Sequence, residues 1–299
     1  MTRALRITDR ERTAERLLGS SARNSYDPEL DLDWDAPLVD GLFFVSPEYV
    51  PIHGTPLWDG LTHDQRVELS RHVAASVASS GIWLEEILMQ MLVRHVYSQD
   101  PRSRHVQYAL TEIGDECRHT VMFGRLIERL GCPRYPQWRM THELGRVFKG
   151  VAWGPSMFAA TLIGEELLDR MQREMMSDER LQPLVRMVNR IHVVEEARHV
   201  RFAREELVRA MEGLSAPALA LHRFVSAAVA LVFSRGLVRP EVYRSVGLDP
   251  VLATRVGLAN PHWQRTVRWA AERMMKFFDE VGLVGKPGMA LWRKSFFLA

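Results

Sequence analysis

Cysteine is almost missing from this sequence. Cys117 and Cys132 are the only two among 299 residues, and they form no Cys-x-x-Cys pair. That excludes a disulfide scaffold and fits a reducing cytosol, so a cytoplasmic protein is expected. An excess of one charge is missing too. The 39 Lys and Arg are interspersed with 37 Asp and Glu, for a formal net charge of +2, which leaves no basic stripe for nucleic acid. No strand-like alternation runs beyond four residues, and no low-complexity tract occurs. The start, Met1-Thr2-Arg3, lacks the apolar core of a signal peptide. The most apolar run, Pro217 to Phe233, is interrupted by His222 and Arg223. It reads as a buried helix, so no membrane partner is expected.

What is present is a repeated pattern of acids and histidines. Glu116 and His119 form one Glu-x-x-His motif, in DECRH, and Glu196 and His199 form another, in EEARH, 80 residues later. Glu85 stands 31 residues before Glu116, and Glu165 stands 31 residues before Glu196. A glutamate from each of two helices, with a Glu-x-x-His from each of two others, is the ligand set of a carboxylate-bridged di-metal site in a four-helix bundle. The midpoint of the first pair falls in Ser98-Gln99-Asp100-Pro101-Arg102-Ser103, and that of the second in Ser177-Asp178-Glu179-Arg180. Both are turn-like. A chain that runs up one helix and down the next brings the two glutamates of each pair to one height, roughly 22 Å from the turn. The i, i+3 spacing then turns Glu and His to one helix face. Apolar residues at helical spacing, Leu88 and Leu92 around Glu85 and Leu162 and Leu168 around Glu165, predict burial. Buried carboxylates need compensation of the kind a metal supplies.

Further residues attach to this frame. His192 lies one turn before Glu196 and two turns before His199, which makes it a seventh candidate ligand. Asp115 and Glu195 immediately precede the motif glutamates. Each can accept the distal ring N–H of the opposite motif's histidine. Arg118 and Arg198 can close a carboxylate–arginine layer. Thr161 and Asp169, one turn either side of Glu165, are candidate pocket residues. Thr161 can equally bond within its own helix.

The paired motifs resemble those of the ferritin-like di-iron oxygenases, and the added His192 resembles the AurF-type para-aminobenzoate N-oxygenases. The resemblance implies an all-α, ferritin-like four-helix bundle and two iron ions (Fe2+/Fe3+) held by Glu85, Glu116, His119, Glu165, His192, Glu196 and His199. It supports taking Glu85 over Glu86 and Glu165 over Glu166. It further implies O2 as co-substrate, an aryl amine oxidised to hydroxylamine and nitro products, and an external electron donor such as a reductase or ferredoxin. A homodimer is compatible with it.

Three alternatives stay open. One is a di-iron hydroxylase or oxidase acting on C–H bonds of another small molecule. Another is a ribonucleotide-reductase-like radical protein, against which Phe123 stands where a tyrosine is expected. The third is a ferritin-like iron-binding protein, against which the additional segments at both ends argue.

The expected organisation is an N-terminal helix and wrapping segment over 1–61, then a helical domain over 62–299 with further helices on its C-terminal side, one structural domain in all. Thr62-x-x-Gln65 is a capping box opening the first bundle helix. Bundle helices are expected over about 62–97, 104–130, 155–176 and 182–211. A segment is expected around 142–149, and further helices over about 216–234, 240–246 and 261–281.

Overall fold

A computed structural model describes residues 9–299, so the first eight residues of the expected N-terminal segment lie outside the described residues. In chain order the helices are α1 (Arg10–Arg23), α2 (Pro28–Asp31), α3 (Pro56–Asp59), α4 (His63–Val96), α5 (Arg104–Arg129) and α6 (Arg139–Val151). There follow α7 (Gly154–Met175), α8 (Pro183–Met211), α9 (Ala216–Gly236), α10 (Pro250–Ala259), α11 (Pro261–Glu280) and α12 (Met289–Lys294). The fold is all-α. Among the described residues the sole β feature is an isolated bridge between Phe43 and Leu181.

The four bundle helices begin and end where local chemistry directs. Thr62 Oγ1 accepts from Gln65 N at 3.2 Å while Gln65 Oε1 accepts from Thr62 N at 3.0 Å, closing the capping box that starts α4. Ser103 caps α5 through Val106 N. Pro155 and Pro183 sit in the first turns of α7 and α8, where a missing N–H costs nothing. α4 pairs with α5 and α7 with α8 as two hairpins. The hairpins meet through α4 with α7 and α5 with α8.

The added segments close this bundle. α1 lies against α5 and α8, α11 and α9 lie against α7, and a 3-10 turn at Pro240–Val246 lies against α4. Three expectations are corrected. Residues 240–246 form a 3-10 helix rather than an α-helix, opened by Pro240 and ended by Gly247 at φ 76°. The wrapping segment, expected to follow a single N-terminal helix, holds the further short helices α2 and α3, each started by a proline. The helix read as buried, α9, buries one face only. An apolar window within 216–246 is long enough to cross a membrane by composition, yet 28% of it is buried. His222, Ser226, Ala227, Ala230 and Phe233 face inward, whereas Leu221 and Phe224 are exposed.

Candidate metal centre

The two hairpins bring Glu85 of α4, Glu116 and His119 of α5, Glu165 of α7, and His192, Glu196 and His199 of α8 into one cluster. None of the seven is more than 2% exposed. Donor atoms of Glu116, His119 and Glu196 lie within 4.8 Å of one another, as do those of Glu85, His119 and His192, and those of Glu165, His192 and Glu196. Both motif histidines turn Nδ1 inward. His119 Nδ1 is 3.3 Å from Glu116 and 3.2 Å from Glu196; His199 Nδ1 is 3.0 Å from Glu116 and 3.1 Å from Glu196. Glu116 and Glu196 therefore stand between the two rings. His192 instead presents Nε2, 3.5 Å from Glu85 and 3.6 Å from Glu196.

A second layer holds these rings from outside. His119 donates from Nε2 to Glu195 at 2.7 Å, and His199 from Nε2 to Asp115 at 3.2 Å. Each outer acid thus serves the histidine of the other motif. Arg198 reaches Asp115 at 3.3 Å and Glu195 at 3.6 Å, and Arg118 also pairs with Asp115. The wrapping segment completes the layer, since Tyr26 N donates to Glu195 at 3.0 Å and Asn24 O accepts from Arg198 at 3.1 Å. Burial pushes Asp115 and Glu195 up, but the hydrogen bonds and charge of His199 and His119, with Arg118 and Arg198 beside Asp115 and the Tyr26 N–H on Glu195, together outweigh it and hold both acids below the usual carboxylate range. Burial likewise opposes charge on His119 and His199. The surrounding carboxylates prevail and push both well above the ordinary imidazole value.

The inner layer lacks such compensation. Among the described residues no arginine or lysine pairs with Glu85, Glu116, Glu165 or Glu196. Burial and then neighbouring carboxylates push Glu165 far up, and burial raises Glu85. Glu165 Oε1 and His192 Nε2 are buried without a hydrogen-bond partner. Unpartnered donor atoms of hard oxygen and imidazole type, converging in an anionic and dry site, fit two divalent cations.

Three residues of this site were not singled out from sequence. Gln172 Oε1 accepts from His192 Nδ1 at 2.9 Å, so the Nε2 lone pair faces the cluster. Its position seven residues after Glu165, two turns on, was the available signal. Thr120 donates to Glu85 at 2.9 Å. Glu112, one turn before Glu116, is 0% exposed and has both oxygens unpartnered, one of them within 4.8 Å of donor atoms of Glu116 and His199. Burial pushes it well above the carboxylate range.

The two candidate pocket residues part company. A small cavity of ≈ 70 Å3 opens beside Glu85, Glu165 and His192 and is walled by Phe44, Phe123 and Trp263 among others. Asp169 lines neither this cavity nor the larger one, and the expectation is corrected. It is bound by Arg173 at 2.7 Å, because a residue four positions on offers its guanidinium on the same helix face. Leu168 and Gln172 line the cavity instead. Thr161 lines a larger cavity of ≈ 450 Å3, although its hydroxyl donates to Met157 O at 3.2 Å.

A helical bundle with this cluster defines the ferritin-like di-metal class. The sequence pattern of the P-aminobenzoate N-oxygenase AurF family matches residues 7–282, and the chain belongs to that family. The family's description is that of an oxygenase, an oxidoreductase class. Uncharacterized proteins of Mycobacterium tuberculosis and Mycobacterium bovis are 30% identical to it over 208 residues, or 65% of this chain. The match spans 59% of the length of those relatives. In fold it is similar to R2-like ligand-binding oxidase variants with an aerobically or anaerobically reconstituted Mn/Fe cofactor. Each has a TM-score of 0.50 at 12% identity, covering 93% of this chain and 94% of the other.

Proposed function

We propose that Glu85, Glu116, His119, Glu165, His192, Glu196 and His199 hold two iron ions, and that the protein uses O2 to oxygenate a small molecule at the nitrogen of an aromatic amine. The observation that carries this reading is the convergence of seven buried donors, some unpartnered, around a centre whose glutamates pair with no Arg or Lys among the described residues. Four inner carboxylates balance the charge of two divalent ions. When bound, the metal pair supplies the electrons and the Lewis acidity for O2 activation.

The chain's own residues do the rest. Asp115 and Glu195 fix the tautomers of His199 and His119, leaving Nδ1 free to face inward, and Gln172 does the same for His192 with Nε2. Thr120 orients Glu85. Phe44, Phe123 and Trp263 keep water from the open side at Glu85 and Glu165. Phe123, whose ring lies 5.1 Å from that of His192, cannot carry a tyrosyl radical, which favours oxygenation over a radical-storing role. An external donor, a reductase or ferredoxin, supplies electrons in this reading, and the protein works in the cytoplasm as a monomer or homodimer.

Elemental analysis should find about two irons per chain. Reduced protein with 18O2 and a panel of arylamines should give a labelled hydroxylamino, nitroso or nitro product. Label confined to a carbon-bound hydroxyl would replace nitrogen oxygenation with hydroxylation. Absence of iron would remove the whole reading.

A further inference from the structure

The larger cavity, ≈ 450 Å3, lies between α4, α6, α7 and α9 and has the size of a small-molecule site. Its walls are almost wholly hydrocarbon, and among the described residues no Arg, Lys, Asp or Glu lines it. Its few polar side chains are already engaged in part, Ser156 with His222 at 2.7 Å and Thr161 with its own helix. The cavity also accounts for the incomplete burial of α9, whose half-buried Val225, Ala228, Val229 and Val232 face it. α6 forms the opposite lip. It sits on α4 through Gly145, where a Cβ would come 2.6 Å from Trp83, and it turns Leu144, Val147 and Val151 towards the opening.

One residue is common to the linings of this space and of the metal side. Leu84, next to Glu85, lines both the large cavity and the small one that carries Glu85, Glu165 and His192. It lies flat on Gly164, the neighbour of Glu165, where a Cβ would come within 2.0 Å of Leu84 Cδ2. A leucine can leave such a position by rotamer change, whereas the backbone of two packed helices cannot.

We infer that the substrate is an uncharged, largely apolar molecule whose body fills the cavity between α6 and α9 and whose reacting end passes Leu84 to the metal side. The inference rests on the di-metal oxygenase reading. It separates this chain from the aminobenzoate of its family's description, because a carboxylate buried away from the metal side would find no Arg or Lys in either cavity among the described residues.

The metal-free full chain is titrated with N-phenyl-1-naphthylamine, a neutral fluorescent arylamine. Saturable binding at about one per chain is expected, with energy transfer from Trp83 and Trp153 in the cavity wall. Neutral 4-butylaniline should displace the probe, and 4-aminobenzoate anion should not. Ala228→Trp, which fills the cavity, should weaken binding about ten-fold or more, and the gentler Ala228→Leu a few-fold. Leu84→Trp should keep probe binding in the outer cavity. In the cobalt(II)-loaded protein it should abolish the shift of the visible cobalt spectrum that 4-butylaniline causes in the wild type. Equal competition by 4-aminobenzoate, unchanged affinity in Ala228→Trp, or a probe-silent chain that buries this face in a stable dimer would overturn the inference. Probe binding needs no metal, so failure of the metal reading shows separately, in metal content.

Discussion

Two groups of histidine and glutamate lie among the same helices, and only one has the character of a metal centre. Glu116, His119, Glu196 and His199 form the core of the first, with Glu85, Glu165 and His192 beside them. His95 of α4, His105 of α5 and Glu206 of α8 form the second, with donor atoms also within 4.8 Å of one another. Donor type and donor proximity do not distinguish them. The counter-charges do. Glu206 is gripped by Arg10 at 2.8 and 3.1 Å and by Arg209 at 2.8 Å, so its charge is already met. Burial, with Arg10, His95 and Arg209, pushes His105 down to about 3, whereas the carboxylates around His119 and His199 push those rings up. A cluster that carries its own arginines repels a cation, and one left anionic in a dry interior attracts it.

The largest effect should come from breaking the first cluster. Glu116→Ala or Glu196→Ala, each removing a carboxylate that lies between both rings, should lower bound iron from about two per chain to near zero while circular dichroism stays helical. Glu206→Ala should leave the iron count unchanged and cost stability, roughly 1–3 kcal/mol in urea melts, since two arginines each lose one of their ion pairs and Arg10 is partly exposed. Iron lost equally in all three variants would erase the distinction. The comparison is sharpened by the reverse change. Arg10→Met with Arg209→Met should free Glu206 and its two histidines, so that equilibrium dialysis finds about one additional zinc per chain.

A smaller effect is expected from the support of His192. Gln172→Leu removes the acceptor that fixes its tautomer, and should weaken metal affinity about ten-fold without emptying the site. The smallest effect concerns pH. His105 has a folded value of about 3, below the unfolded value of about 6.5. Between these values the unfolded chain takes up a proton that the native state refuses, so stability falls as pH drops from about 6.5 towards about 3. His105→Leu should flatten that part of the acid limb in denaturant melts, while metal content at neutral pH is unchanged.

The sequence by itself determined the helices of the bundle, their ends and the heights of the paired glutamates. Capping by Thr62 and Ser103, first-turn prolines at 155 and 183, and the i, i+3 and i, i+4 rows on each helix are local matters, settled within a turn or two of the residue concerned. Tertiary structure decided the rest. Asp169 and Gln172 both lie on the Glu165 side of α7, and only the packing of α8 against it gives Gln172 a histidine to hold while Asp169 stays with Arg173. Glu112 looks like any other helical acid until burial without a partner sets it apart. α9 reads as a core helix, and only the stand-off of α6 turns its outer face into a cavity wall. Periodicity reports which face of one helix a residue occupies. Counter-charge, unmet donors and empty space are properties of what the other helices bring to that face.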